Sequence, residues 1–298
     1  FANAFADMSV TGEKMDGAWS FSVGDITAGF DFAGMTVDYR SPLTPVTDCK
    51  GSGQFNYEQE RLAVDVQSCA LKDMTINKGS LEFIHIITPG AGAADIHVAL
   101  HGPLQTAMTY VTAEPIAMNH GFDLPQIKGA ADLQINLNFP TKHDLKMEQV
   151  KVDITGTASD IFIPKAAMGL DLAGGPFALT VKGNSFDVKG SGQLDGRTAF
   201  VAYQEFLKSA GQAYSSKAAA SLSVDPNLRQ KLGMDLSDFL EGSAAVDLTY
   251  TQYQDGRGEA DIKADLKQAR LFAEPFDYEK PAGGDAQTSL HATIKDKT

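Results

Sequence analysis

His97 and His101 stand four residues apart, the spacing at which two imidazoles on one helix face could hold a metal ion. The intervening run argues otherwise. Ile96, Val98 and Leu100 alternate with them at period two, so both histidines fall on the polar side of a strand. Four residues of strand span about 13 Å, too far for this pair alone to share one ion. His85, His120, His143 and His291 have no ligand-type partner at motif spacing, and solvated surface histidines are the plainer reading. Ser185 sits in Gly183-Asn184-Ser185-Phe186-Asp187, where Asp187 occupies the place of the glycine that a nucleophile elbow needs. Pro89-Gly90-Ala91-Gly92 is followed by neither a Lys-Ser/Thr pair nor a helix, so it reads as a hairpin turn and not a phosphate loop. Asp171 and Asp187 could be proposed as the acid and base of a glycosidase. Such a cleft also calls for aromatic platforms, and Trp19 is the one tryptophan. No catalytic group, no metal and no cofactor is expected.

The two cysteines, Cys49 and Cys69, lack the Cys-x-x-Cys spacing of a zinc site. They flank a predicted hairpin whose turn lies near Glu58-Gln59-Glu60. A turn centred on Gln59 would set them opposite each other, at the roughly 4.5–5.5 Å that suits a disulfide. Pairing Phe55 with Val64 and Tyr57 with Leu62 would instead put them on opposite faces. A bulge at Gly51-Ser52-Gly53, or near Ser68, reconciles the two, and a disulfide is the expectation.

The elements around these residues are strands. Leu133, Ile135, Leu137 and Phe139 alternate with Gln134, Asn136 and Asn138, which gives one dry and one wet face. The same pattern recurs at Val150, Val152 and Ile154, and at Phe177, Leu179 and Val181. It returns at Val246, Leu248 and Tyr250, at Ile262, Ala264 and Leu266, and at Leu290, Ala292 and Ile294. Gly, Asn, Asp and Pro clusters separate the runs, so the arrangement predicts an antiparallel meander and not βαβ units. The exception lies near 225–241. Asp225 with Pro226 predicts a helix start, Gly233 its end, and Leu236–Leu240 a second short turn of helix. Glu205–Gly211 is open between strand end and short helix. Weak repeats, near 29–115, 127–203 and 242–298, suggest a sheet extended by like modules. Each reads as a Gly, two long strands and a short apolar strand, the short strands being Leu71–Ile76, Ala158–Ile163 and a segment near Ala269-Arg270-Leu271.

Composition narrows the function classes. The 298 residues are 43% hydrophobic, which permits a packed core. A formal net charge of -13 speaks against nucleic acid, whose phosphates call for Lys and Arg, and against a polybasic dock on anionic headgroups. No run of about 18 apolar residues is present. The chain opens on Phe1 and reads as one continuous segment, 1–298, of a longer protein.

The stretch from Ile127 to Leu207 resembles the core of AsmA-like proteins of the YhdP type. The matching motifs are Ile127-Lys128-Gly129-Ala130-Ala131, the strand ending in Phe139-Pro140, and Val152–Asp160. Gly190-Ser191-Gly192-Gln193-Leu194-Asp195-Gly196 continues them. Downstream, Leu232-Gly233 before Leu240-Glu241-Gly242, and Ala264-Asp265-Leu266 before Pro275 and Tyr278-Glu279-Lys280-Pro281, look similar. So does Val37-Asp38-Tyr39 with Pro42 and Pro45 upstream. The resemblance implies a periplasmic, grooved β-structure that carries phospholipid toward the outer membrane. It also implies attachment to the inner membrane by an anchor outside this chain, and it brings no catalytic residues.

The expected fold is therefore mainly β: a large curved antiparallel sheet forming an elongated apolar groove, with a small helical insertion. Ile96, Val98, Leu100, Leu133, Ile135, Leu137, Phe139, Val150, Val152, Ile154, Phe177, Leu179 and Val181 are the expected lipid-facing residues. The rival is an envelope scaffold or assembly factor whose apolar faces close on each other as a β-sandwich.

Overall fold

Runs that alternate apolar and polar side chains pair into ladders wherever a turn reverses the chain. Each strand then satisfies its neighbour's backbone and offers one dry face. In the computed structural model this happens throughout the described residues, 3–39, 44–112, 124–208 and 210–295. Pro42 and His120 lie outside them. The described residues form one antiparallel sheet of 16 strands, a separate three-stranded sheet and two short α-helices.

The chain divides into two compact units. The first takes in Phe1–Met118, Ala130–Gly156 and Val181–Gly183. It holds β1 (Asn3–Met15), β2 (Ala18–Val37), β3 (Val46–Asn56), β4 (Arg61–Leu71), β5 (Met74–Ile84), β6 (Ala93–Pro103), α1 (Leu104–Thr112) and most of β7 (Lys128–Pro140). β1 to β7 pair antiparallel in sequence order. The β1–β2 hairpin turns on Asp16 and Gly17, with φ of 50° and 87°. Two left-handed residues in succession match the twist of the flanking strands, and Asp-Gly accepts them at little cost.

β8 (Lys151–Ala167) starts in the first unit and ends in the second. Ala158–Ile163, expected as a short separate strand, is the middle of this long one. The second unit adds β9 (Leu170–Gly174), β10 (Phe177–Lys182), β11 (Ser185–Leu194), β12 (Arg197–Phe206), β13 (Ser216–Val224), α2 (Pro226–Lys231), β14 (Leu240–Glu241), β15 (Ala244–Gln252), β16 (Arg257–Asp265), β17 (Arg270–Ala273), β18 (Tyr278–Lys280) and β19 (Gln287–Lys295). The main sheet runs β1 through β8 in order, then β10-β11-β12-β13-β15-β16-β19, with β9 paired to β8 and β11. β14, β17 and β18 form the small sheet, so Arg270 and Leu271, which end the third expected repeat, leave the main sheet.

The helices depart in part from expectation. α2 begins as predicted: the Leu228 amide donates to Asp225 Oδ1 at 2.8 Å, and Pro226 occupies the first turn, where no amide is needed. Leu236–Leu240 forms the expected short turn, closed by the Leu240 amide on the Leu236 carbonyl at 2.8 Å, and runs into β14. Glu205 and Phe206 complete β12, and bends follow. α1 was not predicted; it follows Pro103 directly and packs Leu104, Ala107 and Tyr110 against the sheet.

Candidate functional site

In the first unit, alternation and register together build rows of apolar side chains across one face. Phe30, Gly53, Val64, Leu81, Ile96 and Leu137 are successive cross-strand partners on β2 to β7. Phe32, Gly51, Val66, Gly79, Val98 and Ile135 form the next row. The glycines have a packing reason. A Cβ on Gly53 would lie 2.2 Å from the Phe30 ring, and one on Gly51 would lie 2.6 Å from Phe32, so each phenylalanine lies over bare backbone. A third row links Cys69, Ile76, Leu100 and Leu133. A row on the other side joins Phe55, Leu62, Phe83, Ala94 and Phe139.

Burial across these rows is uneven. The enclosed side chains, Cys49, Cys69, Leu71, Met74, Ile76 and Leu100, gather at the rim that α1 covers. In the two central rows Phe32 is enclosed, whereas Val64, Val66, Leu81, Ile96, Val98, Ile135 and Leu137 are half-buried. A second sheet stacked on this face would bury the centre most deeply.

At the α1 rim the structure joins Cys49 to Cys69, with Cα atoms 4.1 Å apart. The hairpin register differs from the expected one: Phe55 pairs with Leu62 and Gly53 with Val64. That register alone would set Cys49 opposite Ser68. One extra residue in β4, Gln67, and one in β3, where Asp48 has φ 52°, shift the ladder between them so that the cysteines face each other. The first of these bulges lies at one of the two predicted places. Tyr110 of α1 reaches the same rim, where its hydroxyl is buried and has no hydrogen-bond partner among the described residues.

The second unit repeats the scheme. Ala199, Leu222, Val246 and Ala264 form one row, and Val201, Ala220, Leu248, Ile262 and Leu290 the next. Leu170, Leu194, Ala199, Val224 and Leu228 are enclosed where α2 covers the rim, whereas Val201, Leu248 and Ile262 are half-buried. The opposite rim differs in chemistry. Glu205, Ser216 and Gln252 are cross-strand partners there, with Tyr203, Ala218 and Tyr250 in the adjoining row. Tyr203 Oη donates to Glu205 Oε2 at 2.8 Å, and Tyr250 Oη donates to Gln252 Oε1 at 2.6 Å. Burial, and then the Glu205 charge, push the Tyr203 phenol well above its ordinary pKa, which keeps it a neutral donor.

The thirteen residues singled out from the sequence distribute as follows. Ile96, Val98 and Leu100 pair directly with Leu137, Ile135 and Leu133, and Phe139 faces Ala94. A Cβ on Gly156 would touch Leu133, so Ile154 and Val152, two and four residues before it, share that face; Val150 immediately precedes β8. Leu179 and Val181 are half-buried. Phe177 is 1% exposed and lies over Gly190 and Gly192, so its ring is spent on holding β10 to β11. Sequence reasoning missed one large apolar area. On the β1–β2 hairpin, Met8, Val10, Trp19, Phe21 and Val23 continue the Phe30 face, and each is more than half exposed. The alternation Trp19, Phe21, Val23 was the available signal.

The opposite faces are polar. His97 and Asn136, His101 and Asp132, and His291 and Asp261 are register-opposite pairs with ring-nitrogen to oxygen distances of 2.6, 2.6 and 2.8 Å. The hydrogen bond to Asp261 and its charge raise the His291 pKa, and the bond to Asn136 leads the rise at His97. Ser185 Oγ is hydrogen-bonded to Asp187 at 2.6 Å. Among the described residues no group of three or more His, Cys, Asp and Glu could hold a metal, and no helix is long and apolar enough to cross a membrane.

Fold and faces define an antiparallel sheet protein whose apolar surface exceeds what its own helices enclose. A family profile described as YhdP protein matches residues 5–298, and the chain belongs to this family of envelope proteins. No curated protein and no solved structure matches the chain.

Proposed function

We propose that the chain binds phospholipid by its acyl chains along an apolar β-groove and serves their transfer through the periplasm between the inner and outer membranes. The observation that carries the reading is the half-burial of Val64, Val66, Leu81, Ile96, Val98, Ile135 and Leu137 in the central rows, beside the enclosed clusters at the helix-covered rims. Family membership supports a role in lipid transport in the envelope. Each acyl methylene removed from water contributes about 0.8 kcal/mol without directional preference. Leu, Ile, Val and Phe rows therefore hold a chain and still let it slide. The reading needs no catalytic group and no cofactor, and it puts membrane attachment in an anchor outside this chain.

Organic extraction of the purified protein, followed by mass spectrometry, tests it. Phospholipid is expected from the wild type. Leu137→Asp is expected to stay folded by circular dichroism, because a carboxylate on an open face remains hydrated, and to lose most of the lipid. Absence of phospholipid from the wild type would overturn the proposal. Cooperative unfolding of Leu137→Asp at room temperature would point to a closed core, where an unpaired charge costs several kcal/mol.

A further inference from the structure

The rim of the second unit opposite α2 carries a polar belt. In the first unit the corresponding rim is lined by Phe55, Leu62, Phe83 and Phe139. In the second, Glu205, Ser216 and Gln252 stand side by side on β12, β13 and β15, on the same face as Val201 and Leu248. Tyr203 and Tyr250, one row inward, turn their hydroxyls toward this row and bond Glu205 and Gln252. The next row, Val201, Ala220 and Leu248, is apolar. It lies two residues further along each strand, about 7 Å away. The belt thus marks a sharp boundary between a surface for methylenes and a surface for polar groups.

Glu205 is 9% exposed, and it is the one charged side chain in the two belt rows. A carboxylate withdrawn from water to this degree favours a cation and repels a phosphate. The phenols, the hydroxyl and the amide beside it are neutral, and they can donate to a phosphate held farther from Glu205. We propose that Tyr203, Glu205, Ser216, Tyr250 and Gln252 form a headgroup site that selects phospholipids bearing a primary ammonium. The ammonium donates to Glu205, and the acyl chains lie inward on the apolar rows. An ethanolamine headgroup satisfies this chemistry. A glycerol headgroup brings net negative charge and no cation, and a choline headgroup has no N–H to donate. This site rests on the acyl-chain reading above and assigns its specificity.

Delipidated protein is incubated with vesicles of equal parts ethanolamine, choline and glycerol phospholipids, and the bound lipid is counted by native mass spectrometry. The wild type is expected to favour ethanolamine over glycerol by about tenfold, the size of one charge-assisted hydrogen bond. Glu205→Gln keeps an acceptor for Tyr203 and is expected to abolish the preference with total lipid unchanged. Ser216→Lys, which sets a cation beside Glu205, is expected to turn the preference toward the glycerol lipid, and it serves if Glu205→Gln does not fold. Lipid bound without headgroup preference, or a preference that survives both substitutions, overturns the site and leaves the acyl-chain reading intact. A wild type that takes up no lipid at all overturns that reading instead.

Discussion

Both units cover one rim of their apolar face with a short helix, but they fasten that rim differently. In the first, the bond between Cys49 and Cys69 ties β3 to β4 under α1. In the second there is no cysteine, and polar side chains carry the task. Asp225 caps α2 and is gripped by Arg197 through Nε and Nη2, both at 2.9 Å. Arg229, 5% exposed, donates to the carbonyls of Gly242, Leu240 and Val224, which joins α2 to the end of β13, to β14 and to the link before β15. Lys280 does the same for the small sheet, with its ammonium on the carbonyls of Leu266, Ala269, Pro281 and Gly284. The difference teaches that a rim can be held by a link that answers to redox chemistry or by one that answers to pH.

That contrast can be broken or sharpened by experiment. The largest effect is expected from Leu228→Ala. The side chain is 1% exposed beneath α2, and its truncation should cost about 2–5 kcal/mol. Hydrogen exchange should report the loss at β12, β13 and α2 while β3–β5 keep their protection. Reduction of the disulfide, or Cys49→Ala with Cys69→Ala, should cost about 2–4 kcal/mol and show the reverse pattern. Equal loosening of both rims by either change would end the idea that they are fastened separately.

A smaller effect is expected from Asp225→Ala, about 1 kcal/mol for the lost cap. Its pH dependence has a definite sign. The Leu228 amide, then Arg197, hold the Asp225 carboxyl below its ordinary value of 3.8. Its contribution is therefore present above that value and is lost as pH falls through the lower folded value. Acid titration should weaken α2 protection first, and Asp225→Ala should remove that dependence. The smallest effect concerns His291, whose raised pKa stabilises the folded state below about 6.5 and fades as pH rises through the folded value. An NMR titration of His291 should return to the ordinary imidazole range in Asp261→Asn.

How far the sequence could be read varies with the element. β7 was legible because four apolar residues alternate with polar ones and no competing period exists. α2 was legible because Asp225-Pro226 is a local signal. α1 was not, since Leu104–Thr112 contains Thr106, Thr109, Val111 and Thr112, all β-branched, and has no acidic residue in its first turn. Burial of Leu104 against the sheet outweighs that weak propensity. The β3–β4 register was legible only to parity. A slip of two residues leaves every side chain on its own face, so the pattern could not choose between Val64 and Leu62 as the partner of Phe55. Of the second unit's rim, Tyr250 stood out as an alternating residue, but its alignment with Ala218 and Tyr203, and that of Gln252 with Ser216 and Glu205, depends on two strand registers at once.

The sequence by itself determined that this is a β protein with one dry face per strand, an acidic balance, a capped short helix near 226 and a cysteine pair within reach of each other. These follow from local period, local capping and composition, which act over a few residues. Tertiary structure alone decided which apolar rows are enclosed and which stay half-exposed. A closed sandwich and an open sheet impose the same alternation, so the two differ only in what lies over the face. It also decided where two single-residue bulges bring the cysteines together, and that Glu205, Ser216 and Gln252 meet at one rim. Those outcomes depend on registers between strands distant in sequence, which no single strand's pattern specifies.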